Sequence, residues 1–318
     1  MLKNLLASLG VIIILYGCSN HKDQKKQDNN PDETISISGA FALYPMMVKW
    51  SEEYRKTNPH IHIDISAGGA GKGITDALSN MTDFGMVSRD LNPDEIKKGA
   101  FGIAVVKDAV VVTVSSGNPT LKTLLEHGLN KDIAKKIWLS QDNKSWGDIF
   151  GFADKSPIHV YTRSDAAGAA ECWAKYLGKK QEDLLGTGVF GDPGLATAII
   201  KDPLSIGYNN IAYAYDAKTR KPNPGIVVLP LDLNNNGHID ADEDFYTNLD
   251  QLIAAISTGK YPSPPVRDLL LITNGKPSKK VVNDFIKWIL SDGQKFVESS
   301  GYIQLPDKII NDELKKLE

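Results

Sequence analysis

The chain has 318 residues, 42% of them hydrophobic and 24% charged, values ordinary for a soluble globular protein of one large or two smaller domains. Its net charge of −3 excludes a bulk electrostatic case for nucleic acid. No nucleic-acid partner is expected, and any bound anion must be held by local groups.

Residues 1–18, MLKNLLASLGVIIILYGC, carry a lysine near the start, an apolar run and Gly17 before Cys18. That is a secretory signal, too short to stay as a membrane span. It looks like a lipoprotein signal, in which Cys18 becomes the lipidated first residue; the other reading is an ordinary signal with a chance cysteine. Residues 19–33, SNHKDQKKQDNNPDE, hold almost nothing apolar and read as a disordered tether. The two segments imply an exported domain, extracytoplasmic and tethered to a membrane by acyl chains rather than by a span. With Cys18 spent, Cys172 has no partner for an internal disulfide. Its setting, AAECWAKYL, is a helical pattern that suits a buried small hydrophobe.

Strand and helix signals then alternate. TISISG is a short strand. YPMMVKWSEEYRKTNP places Met47, Trp50 and Tyr54 at helical spacing and stops at Asn58-Pro59. HIHIDIS sets Ile61, Ile63 and Ile65 on one face of a strand. GKGITDALSNM is a helix, DFGMVS and AVVVTVSS are strands, KSPIHVYTRSD is a strand running into a turn, and AAGAAECWAKYLG is the helix after it. SIGYNNIAYAYD, GIVVLPLD and DLLLIT add strands before the amphipathic SKKVVNDFIKWILSDGQKFVESSG. This rhythm predicts an α/β protein with a mainly parallel sheet.

Three strand-to-helix turns share small residues: SGAFALYP (Ser38–Pro45), SAGGAGKG (Ser66–Gly73) and RSDAAGAA (Arg163–Ala170). Small residues let backbone approach a ligand, and the N–H groups of a helix N-terminus favour an anion. Turns of this kind converge at the carboxyl ends of strands, where open α/β sheets bind ligands. Arg163 and Arg89 lie beside them. The glycine-rich turn is no nucleotide-binding loop, because Gly71-Lys72 is followed by Gly73 and Ser66 stands where the first glycine is needed.

SGAFALYPMMVKWSEEY, SAGGAGKGITDAL, TDFGMVSRDL, TRSDAAGAAECW, SIGYNNIAYAYD and FIKWILSDGQKFVESSGYIQL follow in this order. On these motifs the chain resembles the phosphate-binding lipoproteins of bacterial ABC-type phosphate transporters. The resemblance implies a two-lobed periplasmic-binding-protein-like fold, each lobe a mainly parallel sheet flanked by helices, with a hinge of two crossovers. It puts the crossings near Ser115 and Val228, so that 34–115 plus 228–318 form one lobe and 116–227 the other. It implies a monomer without catalysis that closes on phosphate or a related oxyanion and docks on ABC permease subunits.

Residue by residue, the resemblance gives Arg163 the oxyanion and makes backbone donors of Phe41, Ala42, Ala167, Gly168 and Ala169. Several hydroxyls of the family are replaced: a threonine by Phe41, a serine by Ala70, and a serine and a threonine by Ala167 and Ala169. The acidic proton acceptor falls near Ser88, and Arg89 is an added cation. A buried oxyanion loses roughly 1–3 kcal/mol for each oxygen left unpaired, so the ligand stays open. It could be phosphate held mostly by backbone and arginine, another oxyanion, or a larger molecule with an apolar part against Phe41 and the alanines. Ser36, Ser38 and Ser66 are further candidate hydroxyls. Two other readings remain: an exported enzyme acting on phosphate esters, for which the sequence offers no nucleophile motif, and a signalling or adhesive lipoprotein that kept the fold and lost the ligand.

DLNNNGHIDADE, Asp232 to Glu243, fits a calcium loop at every diagnostic position. Asp232, Asn234, Asn236 and Asp240 offer side-chain oxygens, His238 its carbonyl, Glu243 a bidentate carboxylate, and Gly237 the sharp turn. KPNPGIVVLPL upstream cannot be an entering helix, and the chain holds a single such loop. A structural Ca2+ clip near the second crossing is therefore expected, not a calcium sensor.

Overall fold

The computed structural model describes residues 33–142, 145–151 and 153–318; the signal, Cys18 and the tether to residue 32 lie outside the described residues. Glu33, expected to end the tether, instead opens the first strand by pairing with Ile61. The strands are β1 (Glu33–Gly39), β2 (Ile61–Ala67), β3 (Phe84–Val87), β4 (Ala100–Ser115), β5 (His159–Arg163), β6 (Thr187–Val189), β7 (Ser205–Asn210), β8 (Ile226–Val228) and β9 (Val266–Asn274). They join in the order β2-β1-β3-β9-β4-β7-β5-β6, with β8 also on β4. The outer pairs, β1 with β2 and β3 and β5 with β6 and β7, are parallel. Every pairing of β4 and β9 is antiparallel.

The periodicity of the sequence is that of the buried faces. Helix Tyr44–Thr57 has Pro45 in its first turn and buries Met46, Met47, Trp50 and Tyr54; its Trp50 Nε1–H donates to Gly293 O at 2.9 Å. Helix Lys280–Leu290 buries Val281, Val282, Phe285, Ile286, Ile289 and Leu290. Side chains of this size contribute about 1.5–3 kcal/mol each when fully buried. Among the described residues no helix is long and apolar enough to cross a membrane.

Two large cores form. One gathers Ile35, Trp50, Phe84, Ile103, Val105, Leu269, Leu271 and Phe285. The other gathers Val110, Val112, Trp138, Trp173, Tyr208, Leu229, Leu252 and Tyr261. β4 has 16 residues, about 50 Å of strand, enough to serve both. The chain passes between the cores inside β4 and β9, not near Ser115 and Val228. The expected division is corrected accordingly: Val228, Leu229, Leu231, Leu249, Leu252 and Ile256 pack with the core of 109–215. The cause is pairing, since β8 lies against Thr113–Ser115 of β4 and the helix Leu249–Ser257 buries its leucines on that side.

At the passage Asp108 sits opposite Arg267 and Lys107 opposite Asp268. Arg267 Nη2 donates to Asp108 Oδ2 at 3.1 Å with both side chains buried. Burial pushes the Asp108 carboxyl up to about 6, against the pull of Arg267. A carboxyl that holds its proton more tightly folded than unfolded stabilises at low pH, and that contribution is lost as pH rises through its folded value. Wild type should lose up to about 3 kcal/mol relative to Asp108→Asn as pH rises from about 4 to about 6; urea unfolding of both proteins across that range measures it.

Candidate functional site

The carboxyl ends of the parallel strands carry the expected turns. β1 leads to Phe41, β2 to the helix Ala70–Leu78, β3 to Ser88, β5 to Arg163 and the helix Gly168–Tyr176, and β6 to the helix Gly191–Lys201. The structure brings these turns together. Gly71 N–H donates to Ala166 O at 3.1 Å. Tyr213 Oη–H donates to Phe41 O at 2.9 Å. Gly191, with φ +73°, lies against the Phe41 ring, where a Cβ would stand 3.0 Å from Cζ. Gly168 lies against Ser88, where a Cβ would stand 2.2 Å from Oγ and 2.3 Å from the carbonyl oxygen. Phe41 also meets Phe190 edge-on at 5.8 Å.

Arg163 is the charged centre of this cluster, its side chain only 1% exposed. Its Nε and Nη2 donate to Asp165 at 2.8 and 2.6 Å, and Nη1 donates to Asp192 at 2.6 Å. Burial opposes its charge, but the carboxylates of Asp192 and Asp165 outweigh that and raise its pKa. All three nitrogens of the guanidinium thus donate to the two carboxylates. The Phe41 ring covers its face, with the guanidinium carbon 5.6 Å from the ring centre, a cation–π distance.

The resemblance-based residues divide. Ala42, Ala70, Ser88, Ala167, Gly168 and Ala169 are all buried at or beside the turns. The Ala167 N–H, expected to be a ligand donor, is instead given to Gln181 Oε1 at 3.0 Å. Arg89, expected as a second cation, forks onto Glu95 at 2.9 and 2.7 Å. Glu95 is fixed there by the capping box of the helix Pro93–Lys97, so both terminal nitrogens of Arg89 are turned onto that carboxylate. The hydroxyls of Ser36 and Ser38 go to Asp83 and Asp76, and that of Ser66 to Ile37 O. Asp165 and Asp192 were missed. Asp165 stands two residues after Arg163, and Asp192 opens a fourth strand-to-helix turn, VFGDPG.

The calcium-like loop lies away from these turns. Asp232 accepts from the N–H groups of Asn236 and Gly237 at 3.1 and 2.9 Å. Glu243 accepts from Leu233, Asn234 and Asp240 at 2.8, 3.0 and 3.3 Å. The amides of Asn234 and Asn236 both reach Asp240 Oδ2 at 2.8 Å. Outside the loop, Ile239 N–H donates to Glu126 O at 3.0 Å and His127 Nδ1 lies 2.9 Å from Gly237 O. The loop thus fastens to 126–129 on the second core, next to the strand that ends at Val228.

Because Gly168 meets both a hydroxyl and a carbonyl of Ser88, Gly168→Ala should cost about 1–3 kcal/mol. Ser88→Ala should not rescue it, since the carbonyl stays in the way. Chemical denaturation of the single and double variants checks both.

A family model, the PBP superfamily domain, matches residues 24–293. The phosphate-binding protein PstS of Methanocaldococcus jannaschii is 28% identical, covering 94% of this chain and 90% of its own length. The phosphate-binding protein PstS of Staphylococcus haemolyticus is 25% identical, covering 88% of this chain and 83% of its own. In fold, a Clostridium perfringens structure described as a phosphate ABC transporter substrate-binding protein with bound phosphate superimposes with TM-score 0.69 at 20% identity, covering 86% of this chain and all of that one. The span of the family match and the agreement of the fold lead to one assignment: this chain belongs to the PBP superfamily.

Proposed function

We propose that this chain is a non-catalytic, extracytoplasmic solute-binding protein that captures phosphate between its two cores and hands it to the permease subunits of an ABC transporter. The observation that carries the reading is Arg163. It is a buried, permanently charged guanidinium at the meeting point of the small-residue turns, covered on its face by Phe41. The phosphate-binding relatives along almost the whole chain support the same ligand. Lipidation at Cys18 supplies the membrane anchor in this reading, and the bound form is a monomer.

The carboxylates around Arg163 favour a particular form of anion. Asp165 and Asp192 together outnumber the charge of Arg163, so a fully ionised oxyanion meets net repulsion. One that still carries a proton can donate it to a carboxylate oxygen. This restores the proton-acceptor role that the resemblance assigned near Ser88, now from the other side of the cleft. Isothermal calorimetry should show phosphate binding at least about tenfold tighter than sulfate, a difference of about 1.4 kcal/mol. Arg163→Met should abolish the phosphate response. Silence toward phosphate, sulfate and molybdate alike would sink the reading, and turnover of a phosphate ester would favour an enzyme.

We also propose that Asp232, Asn234, Asn236, His238, Asp240 and Glu243 hold a structural Ca2+. Asp232 and Glu243 are 3% and 4% exposed, and among the described residues no basic side chain pairs with either. Buried carboxylates without a cation are costly, and an all-oxygen set suits calcium. A chelator should lower the melting temperature by several degrees, as expected for a ligand held well below its working concentration, and Glu243→Gln should remove the difference. An unchanged melting curve would refute the clip.

A further inference from the structure

We propose that Asp192, Asn210, Arg267 and Asp108 form a buried relay that positions Arg163 and ties it to the two strands that pass between the cores. The inference rests on Arg163 being the anion-holding group. Each link is a hydrogen bond between buried side chains. Arg163 Nη1 donates to Asp192 Oδ2 at 2.6 Å. Asp192 Oδ1 accepts from the Asn210 carboxamide nitrogen, and the Asn210 carboxamide oxygen accepts from Arg267 Nη2. Arg267 Nη2 also reaches Asp108 Oδ2 at 3.1 Å. Asp192, Asn210, Arg267 and Asp108 are 2%, 1%, 8% and 1% exposed.

The backbone places of these residues give the relay its direction. Asp192 opens a helix behind the cleft, and Asn210 ends β7 opposite Val110 of β4. Asp108 and Arg267 face each other on β4 and β9 where both leave one core for the other. Asn210 uses both ends of its carboxamide, donating toward the cleft and accepting from the passage, a task that neither an apolar nor a carboxylate side chain performs.

Bonding is uneven along the relay. Both oxygens of Asp192 are engaged at the cleft end. At the passage Asp108 Oδ1 and Arg267 Nε and Nη1 are buried without a hydrogen-bond partner among the described residues. Buried groups left in this way call for an explanation, and a second arrangement of the passage that engages them supplies one. An anion that draws on Arg163 shifts Asp192, and the shift reaches Arg267 through Asn210.

The test uses the full chain with inorganic phosphate, titrated by calorimetry, and reads lobe closure as phosphate-induced compaction in small-angle scattering. Asp108→Asn keeps the shape of the side chain at the far end of the relay; Asn210→Leu cuts its middle. Each should weaken phosphate binding about five- to tenfold, within the usual range of coupling between sites, and reduce the compaction. The double variant should be no weaker than Asn210→Leu alone. Losses that multiply in the double variant would overturn the relay, as would unchanged affinity and compaction in Asp108→Asn. If wild type itself ignores phosphate, the anion reading and the relay fall together; if wild type responds and the variants match it, the relay alone falls.

Discussion

A guanidinium cannot give up its proton to escape burial, so placing Arg163 with its side chain 1% exposed dictates much of what surrounds it. Acceptors must come from nearby backbone turns. Asp165 comes from the turn that follows Arg163 on β5, and Asp192 from the turn after the neighbouring strand β6. Parallel pairing of β5 and β6 sets those two turns side by side. The opposite wall then has to be small and flat. Phe41 lies over the guanidinium, and Gly191 supplies the left-handed backbone beside it, where a Cβ would crowd the ring at 3.0 Å. The result is a desolvated guanidinium held by two carboxylates, a setting that favours an anion still carrying a proton over a fully ionised one.

The same economy governs the passage between the cores. Two antiparallel strands carry the chain across, and their apolar faces serve both cores. At the midpoint the pattern breaks into a charged stretch, Lys107-Asp108 on β4 against Arg267-Asp268 on β9. Apolar side chains there would merge the two cores into one rigid body. A buried ion pair stabilises less than a packed apolar pair, and it leaves polar groups whose partners can change.

How much of this the sequence discloses depends on whether a feature is periodic. HIHIDIS and KVVNDFIKWIL show their buried faces directly, and the small residues before each helix mark the turns that later converge. Features that rest on partners distant in sequence are hidden. GIVVLPL is apolar enough to join either core, and only its pairing with Thr113–Ser115 decides which. Arg89 looks available until the Asn92–Glu95 capping box turns a carboxylate onto it. Asp192 is obscured by its own neighbourhood, since GDPG reads as an ordinary turn. Only the fold shows that this carboxylate meets Arg163, 29 positions earlier. A fourth strand-to-helix turn with small residues was the available signal.

The calcium-like loop shows the same dependence on context. Its spacing is legible to the last residue, yet spacing does not say what the loop fastens. Its external bonds run to Glu126, His127 and Leu129, and all of those belong to the second core or its edge. Among the described residues none runs to β9 or to the first half of β4. A cation held there stiffens one side of the molecule and leaves the passage alone. That separation suits the closure on a ligand that the proposed function requires. Rigidity added inside a core would leave the strands of the passage as compliant as before, whereas the same rigidity at the passage would oppose such closure directly. In the proposed reading, stability and affinity therefore rest on different carboxylates: Asp232 and Glu243 for the first, Asp165 and Asp192 for the second.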